Sequence, residues 1–205
     1  YEALVEAISD AKDGDTITLA GDISATSTIN IDKTITLTGG SISAADGFTG
    51  GSLISLKTEG KTLTLGNVTL DAKEKARVVY CNAGKIIVNG ATITGGKAPD
   101  GSYIGGVYMT SASQFEMNSG SITGNEVSDA YKTDGYLQYS ADLWIGANAK
   151  GAMTAINGGT VGSIFVNANE FSATNPGSFK MNKGTVDNIY VEYDNEYGAD
   201  RKSVV

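Results

Sequence analysis

The chain has 205 residues, a formal charge of -8 and a sequence pI near 4.5, with 40% hydrophobic residues, 27 Gly and only 2 Pro. An acidic surface excludes nucleic acid as a partner, because phosphate binding depends on clustered Lys and Arg; an acidic polysaccharide such as pectate would also be repelled unless metal ions intervened. With no His, the chain lacks imidazole ligands and the commonest neutral-pH base, so any catalysis would fall to carboxylates, Lys or Tyr.

Residues 1 to 12 stand apart from the rest. In EALVEAISDAK, Leu4, Val5, Ile8 and Ala11 fall on one helical face, which predicts an amphipathic helix able to close the end of a stack. The turn Asp13-Gly14-Asp15 then introduces the strand TITL.

From residue 37 onward one pattern recurs: apolar, often Asn, any residue, small, Ser or Thr, apolar. Its six copies are LTGGSI (37 to 42), LGNVTL (65 to 70), VNGATI (88 to 93), MNSGSI (117 to 122), INGGTV (156 to 161) and MNKGTV (181 to 186). Their last residues are 28, 23, 29, 39 and 25 positions apart, the irregular spacing of β-helix coils carrying insertions. Two residues before each copy stand Ile35, Leu63, Ile86, Phe115, Thr154 and Phe179. This alternation with period two predicts strands, not the helical repeats of ankyrin or TPR proteins. Asn89, Asn118, Asn157 and Asn182 occupy one turn position, where Asn tolerates a left-handed backbone and stacked amides can form a ladder. The expected fold is an all-β, right-handed, single-stranded parallel β-helix forming one domain over 1 to 205. Its parts are a capping helix at 1 to 12, coils at 13 to 193, and a polar cap or linker at 194 to 205.

A second strand follows each motif: LISL (53 to 56), VVYC (78 to 81), VYM (107 to 109), LWI (143 to 145), IFV (164 to 166) and IYV (189 to 191). If the flanking aliphatics enter the core, the residue between them points outward. In five consecutive coils that residue is Tyr80, Tyr108, Trp144, Phe165 and Tyr190, an unusual exposed column of rings. Sugar rings and protein partners both use such platforms, although rings stacked on one another or covered by a loop would give the same pattern. The lone Cys81 reads as a small core residue.

Two long insertions interrupt adjacent coils, from Gly95 to Gly105 and from Thr123 to Asp142. They carry Tyr103, Tyr131, Tyr136 and Tyr139, which are candidates for the walls of an aromatic groove. The alternating charges Asp71, Lys73, Glu74, Lys75 and Arg77 read as a solvated turn. Asp187, Glu192, Asp194 and Glu196 are read as shielding a final edge strand rather than holding calcium. A Thr-rich, ice-matching face is rejected: Thr34 and Thr36, then Thr62 and Thr64, give way to Lys85 and Ile87 and then to Gln114 and Glu116.

The opening EAISDAKDGDTITLAGDI and INIDKTITLTG resembles the start of pectin-lyase-like β-helices on Gram-positive surface proteins. GGVYM with FEMN, and FKMN, are similar to repeats of polymorphic outer-membrane adhesins. The resemblance implies an extracellular bacterial adhesion or recognition module, with a glycan or host glycoprotein as partner. No cofactor is expected; no apolar run approaches membrane-spanning length, so no direct membrane insertion is expected, and the chain reads as part of a larger multidomain protein. The alternatives are a carbohydrate-active lyase or hydrolase and a rigid stalk.

Overall fold

The structure, a computed structural model, describes residues 1–99, 101–110, 113–133, 141–146, 153–167, 178–195 and 198–204. It is nearly all-β, a parallel β-solenoid with one short helix at its N-terminal end. That helix, α1, spans Glu2–Asp10 and buries Leu4 and Ile8 against the core, with Ala11 packed behind them. Val5 departs from expectation at 42% exposure. Leu4 and Ile8 are one turn apart and share the buried stripe, whereas Val5 lies about 100° around the helix from Leu4 and falls on its flank.

Three strand columns form the coils. The first passes in order through β1 (Asp15–Thr18), β3 (Ile35–Thr38), β5 (Thr62–Leu65), the starts of β8 (Gly84–Thr94) and β10 (Ser113–Ile122), β12 (Met153–Ile156) and β14 (Ser178–Met181), all parallel. The second joins the starts of β2 (Asp22–Ile31) and β4 (Ser41–Leu56), β6 (Thr69–Asp71), the ends of β8 and β10, and the starts of β13 (Thr160–Asn167) and β15 (Thr185–Asn195). The third joins the ends of β2 and β4, then β7 (Arg77–Cys81), β9 (Val107–Met109), β11 (Leu143–Ile145) and the later parts of β13 and β15.

Alternation places the repeat's apolar positions inside. Ile35, Leu37, Leu63, Leu65, Ile86, Val88, Phe115 and Met117 are buried in one continuous core, as are Ile42, Leu70, Ile93, Ile122 and Val161 from the motif ends. Each such side chain contributes roughly 1.5–3 kcal/mol relative to exposure. The pattern weakens at the last rung, where Met181 of β14 is 38% exposed. Among the described residues its strand pairs along the first column with β12 alone.

The corner between the first two columns accounts for one recurring set of glycines. Gly120 and Gly159 have φ of 103° and 92°, and a Cβ on Gly120 would lie 2.2 Å from the carbonyl oxygen of Ala91 in the coil below. Only glycine adopts that backbone at that approach without strain. Beside these glycines the asparagines form the expected ladder: Asn118 Nδ2 donates to Asn89 Oδ1 (2.8 Å), Asn157 to Asn118 (2.8 Å) and Asn182 to Asn157 (2.6 Å). The asparagines do not supply the left-handed backbone, however. Among the described residues, only Lys73 and Glu74 outside glycine have positive φ. The corner thus divides its labour between an amide that bonds and a glycine that turns.

At the far end β16 (Gly198–Val204) runs antiparallel to β15 from Ile189 to Asn195, so the polar segment expected as cap or linker pairs back on the last coil. Among the described residues no helix is long and apolar enough to cross a membrane.

Cys81 sits in the core, its Sγ–H donating to the carbonyl of Ala83, and burial pushes the thiol up to about 12. The thiolate is the reactive form. Folded protein at pH 8 is therefore expected to leave Cys81 unmodified by a thiol reagent such as DTNB, and to release one equivalent of thiol on unfolding; rapid modification of native protein would contradict this packing.

Candidate aromatic binding face

The third column carries the candidate site. Its registers pair Tyr80 with Tyr108, Tyr108 with Trp144, Trp144 with Phe165 and Phe165 with Tyr190, so the rings stand on consecutive rungs. The flanking aliphatics Val79, Cys81, Val107, Met109, Leu143, Ile145, Ile164 and Val166 belong to the main core, whereas Trp144 and Phe165 form a separate apolar cluster with Ile104. The rings thus project away from the solenoid interior, as strand alternation requires.

Direction is not exposure. Trp144 is 3% and Phe165 1% exposed. Their rings stack face to face at 4.1 Å, and Tyr103 lies 4.7 Å from Trp144 on its other contact. Ile104 and Tyr103 come from the first insertion, which is held by the second. Lys97 and Glu126 form a parallel bridge, Glu126 N–H donates to the Gly96 carbonyl and Ala98 N–H to the Glu126 carbonyl. A salt bridge from Lys97 to Asp129 ties the same two segments, one from Lys132 to Glu126 braces the second from within, and Tyr103 packs edge-on to Tyr131. The insertions therefore extend the parallel ladder and lay their own side chains over the middle of the column.

Tyr80 and Tyr108 are half-buried, their centroids 5.7 Å apart at 57°. Tyr190 is half-buried against the Trp144 and Phe165 cluster, and Tyr131 is half-buried beyond Tyr103. Tyr136 and Tyr139 lie outside the described residues.

Arg77 is the residue sequence reasoning missed. The charged run to which it belongs disperses: Lys73 pairs with Asp71 and Lys75 with Asp46, both at the surface, while Glu74 stays exposed. Arg77 instead folds onto the aromatic face at 9% exposure, 4.8 Å from the Tyr108 centroid and 5.6 Å from that of Tyr80. Its Nε–H donates to the Ile104 carbonyl (3.1 Å) and Nη2 to Ser102 Oγ (2.8 Å), which fastens the first insertion. Burial pulls the guanidinium below its ordinary pKa, with Tyr108 and Tyr80 acting in the opposite sense. Burial likewise raises Tyr108, opposed by Arg77. The sequence did hold a signal, because Val78 and Val79 are both buried. Two consecutive inward residues mark a bend, and a bend puts Arg77 and Tyr80 on the same outer side.

Asp142, the carboxylate preceding β11, is buried and committed. Its Oδ1 accepts from Asn125 Nδ2 (2.8 Å) and Asn125 N–H (3.2 Å), and Oδ2 accepts from Ser163 Oγ (3.0 Å). Burial raises its pKa in spite of those bonds. Asn125 Oδ1 in turn accepts from Gly96 N–H, so the network links three coils and the insertion. Glu192 registers with Asn167 along β13 and β15. Among the described residues no group of three His, Cys, Asp or Glu could hold a metal ion.

No family model matches the chain, and neither does any curated protein or solved structure.

Because Trp144 is a packing residue here, Trp144→Ala should lower the unfolding free energy by about 3–5 kcal/mol, the usual cost of deleting a buried large aromatic. Denaturant unfolding measures it; a loss below about 1 kcal/mol would place the indole at an exposed surface.

Proposed function

We propose that this chain is a non-catalytic recognition module of an extracellular bacterial surface protein, and that it contacts a glycan or the glycan of a host glycoprotein through Tyr80 and Tyr108. The observation that carries the reading is the pair of outward rings on adjacent rungs of a parallel sheet, both only half-buried, with Arg77 packed against both and the insertions walling one side. Tyrosine presents a large apolar face and a hydroxyl with few rotatable bonds, the combination a sugar ring uses for stacking and hydrogen bonding. The sheet beneath holds the rings at fixed spacing, so little ordering cost remains at binding.

A lyase or hydrolase would need carboxyl groups facing the bound chain, two in the usual glycosidase arrangement. Asp142 is instead engaged inside the Asn125 and Ser163 network.

Binding of the wild-type chain to an immobilised glycan panel tests the reading, together with Tyr80→Ala and Tyr108→Ala. Each substitution should weaken binding about tenfold, equivalent to ~1.4 kcal/mol, while the unfolding midpoint changes little for Tyr80→Ala. Unchanged binding in both variants, or no glycan bound by wild type, contradicts the proposal. A shortened polysaccharide product would favour the enzyme.

A further inference from the structure

One rung below Tyr80 the column changes character. The registers continue from Tyr80 to Ser55 and from Ser55 to Asn30, and Ser52 pairs with Arg77. Here the face opens into a cavity of about 300 Å³ whose lining includes Asn30, Ser52, Ser55, Lys57, Arg77 and Tyr80. None of its described lining residues is acidic, in a chain whose formal charge is -8.

Two buried groups in this cavity lack the partners their chemistry requires. Ser55 is 2% exposed, and its Oγ has no hydrogen-bond partner among the described residues. A buried hydroxyl left this way costs about 1–3 kcal/mol. Arg77 is almost as buried and makes no ion pair among the described residues. Of the five N–H donors of a guanidinium, one goes to Ile104 and one to Ser102. Lys57, an exposed side chain, also sets its Nζ 5.7 Å from the Tyr80 ring centroid. An unpaired buried charge is costly unless something neutralises it.

We propose that this cavity is a subsite for one anionic substituent, a carboxylate or a sulfate, on a sugar whose ring lies on Tyr80 and Tyr108. The inference rests on the glycan reading of the tyrosine face and adds the ligand's charge. Strand spacing of about 4.8 Å between rungs sets a substituent on a stacked ring within reach of the Ser55 hydroxyl. Arg77 and Lys57 flank Tyr80 and supply charge-assisted hydrogen bonds. The acidic surface beyond the cavity disfavours a polymer charged at every residue, so the ligand carries its anion among neutral rings.

The test follows the Arg77 Nε–H signal of the full ¹⁵N-labelled chain by NMR during titration with methyl glucuronide, with glucose 6-sulfate and with neutral methyl glucoside. Lys57→Ala and Ser55→Ala serve as variants, because neither removes the contacts of Arg77 with the insertion. The expected result is a saturable shift with at least one anionic sugar, absent with the glucoside and weakened about tenfold by each substitution. The anion giving the tighter response identifies the source. No saturable shift up to about 50 mM of either anionic sugar, or an equal response to all three sugars, overturns the subsite. So does an undiminished response in the Lys57→Ala, Ser55→Ala double variant. Glycan binding that depends on Tyr108 but ignores charge would sink the subsite alone and leave the recognition reading standing.

Discussion

In-register parallel stacking around a single apolar interior is the constraint on which the other features depend. Each strand pairs with the equivalent residues of the coils above and below, so the side of the sheet chosen by one residue is imposed on its whole column. Leu37, Leu65, Val88, Met117 and Ile156 share the inside because one residue's slip would turn the entire set to solvent. The same rule puts Tyr80, Tyr108, Trp144, Phe165 and Tyr190 outside. Stacking also makes the corners repeat, which is why glycine and asparagine recur at fixed places and why the amides meet end to end.

On this scaffold the outer face is divided by what covers it. Over Trp144 and Phe165 the two insertions build a second small core, with Ile104 at its centre and Arg77 fastening its edge. Below it, Tyr80 and Tyr108 stay accessible, and below them the column turns polar and cationic at Ser55, Lys57 and Arg77. Arg77 belongs to both regions. It packs against the tyrosines and holds the loop that walls them, so the geometry of the recognition face and the seating of the insertion are mechanically coupled through one guanidinium.

The repeat made the fold readable, because a pattern that recurs on six coils reports the interior of each. Leu63, Ile86 and Phe115 could be placed from alternation alone, and the outward sense of the ring column follows from the same parity. What alternation does not report is what lies above a residue already turned outward. Trp144 and Tyr108 are equivalent in the strand pattern, and only the path of the insertion, which carries no periodic signal, covers the first and spares the second. Arg77 was obscured by its neighbours: among Lys73, Glu74 and Lys75 it reads as one more solvated charge, and the bend at Val78 and Val79 that turns it onto the rings breaks the simple period. Net charge is a coarser report still. A total of -8 describes the surface as a whole and says nothing of a cavity where two cations stand without acids.

Disulfide trapping across two rungs tests the stacking register most directly. Lys85 and Gln114 are paired outward residues on β8 and β10, within bridging distance for adjacent parallel rungs. The account predicts that a Lys85→Cys, Gln114→Cys double variant closes an intramolecular disulfide under mild oxidation, whereas Lys85→Cys with Phe115→Cys does not, since position 115 faces the interior. Failure of the first pair, or equal closure of both, would contradict the in-register solenoid and every assignment of inside and outside made from it.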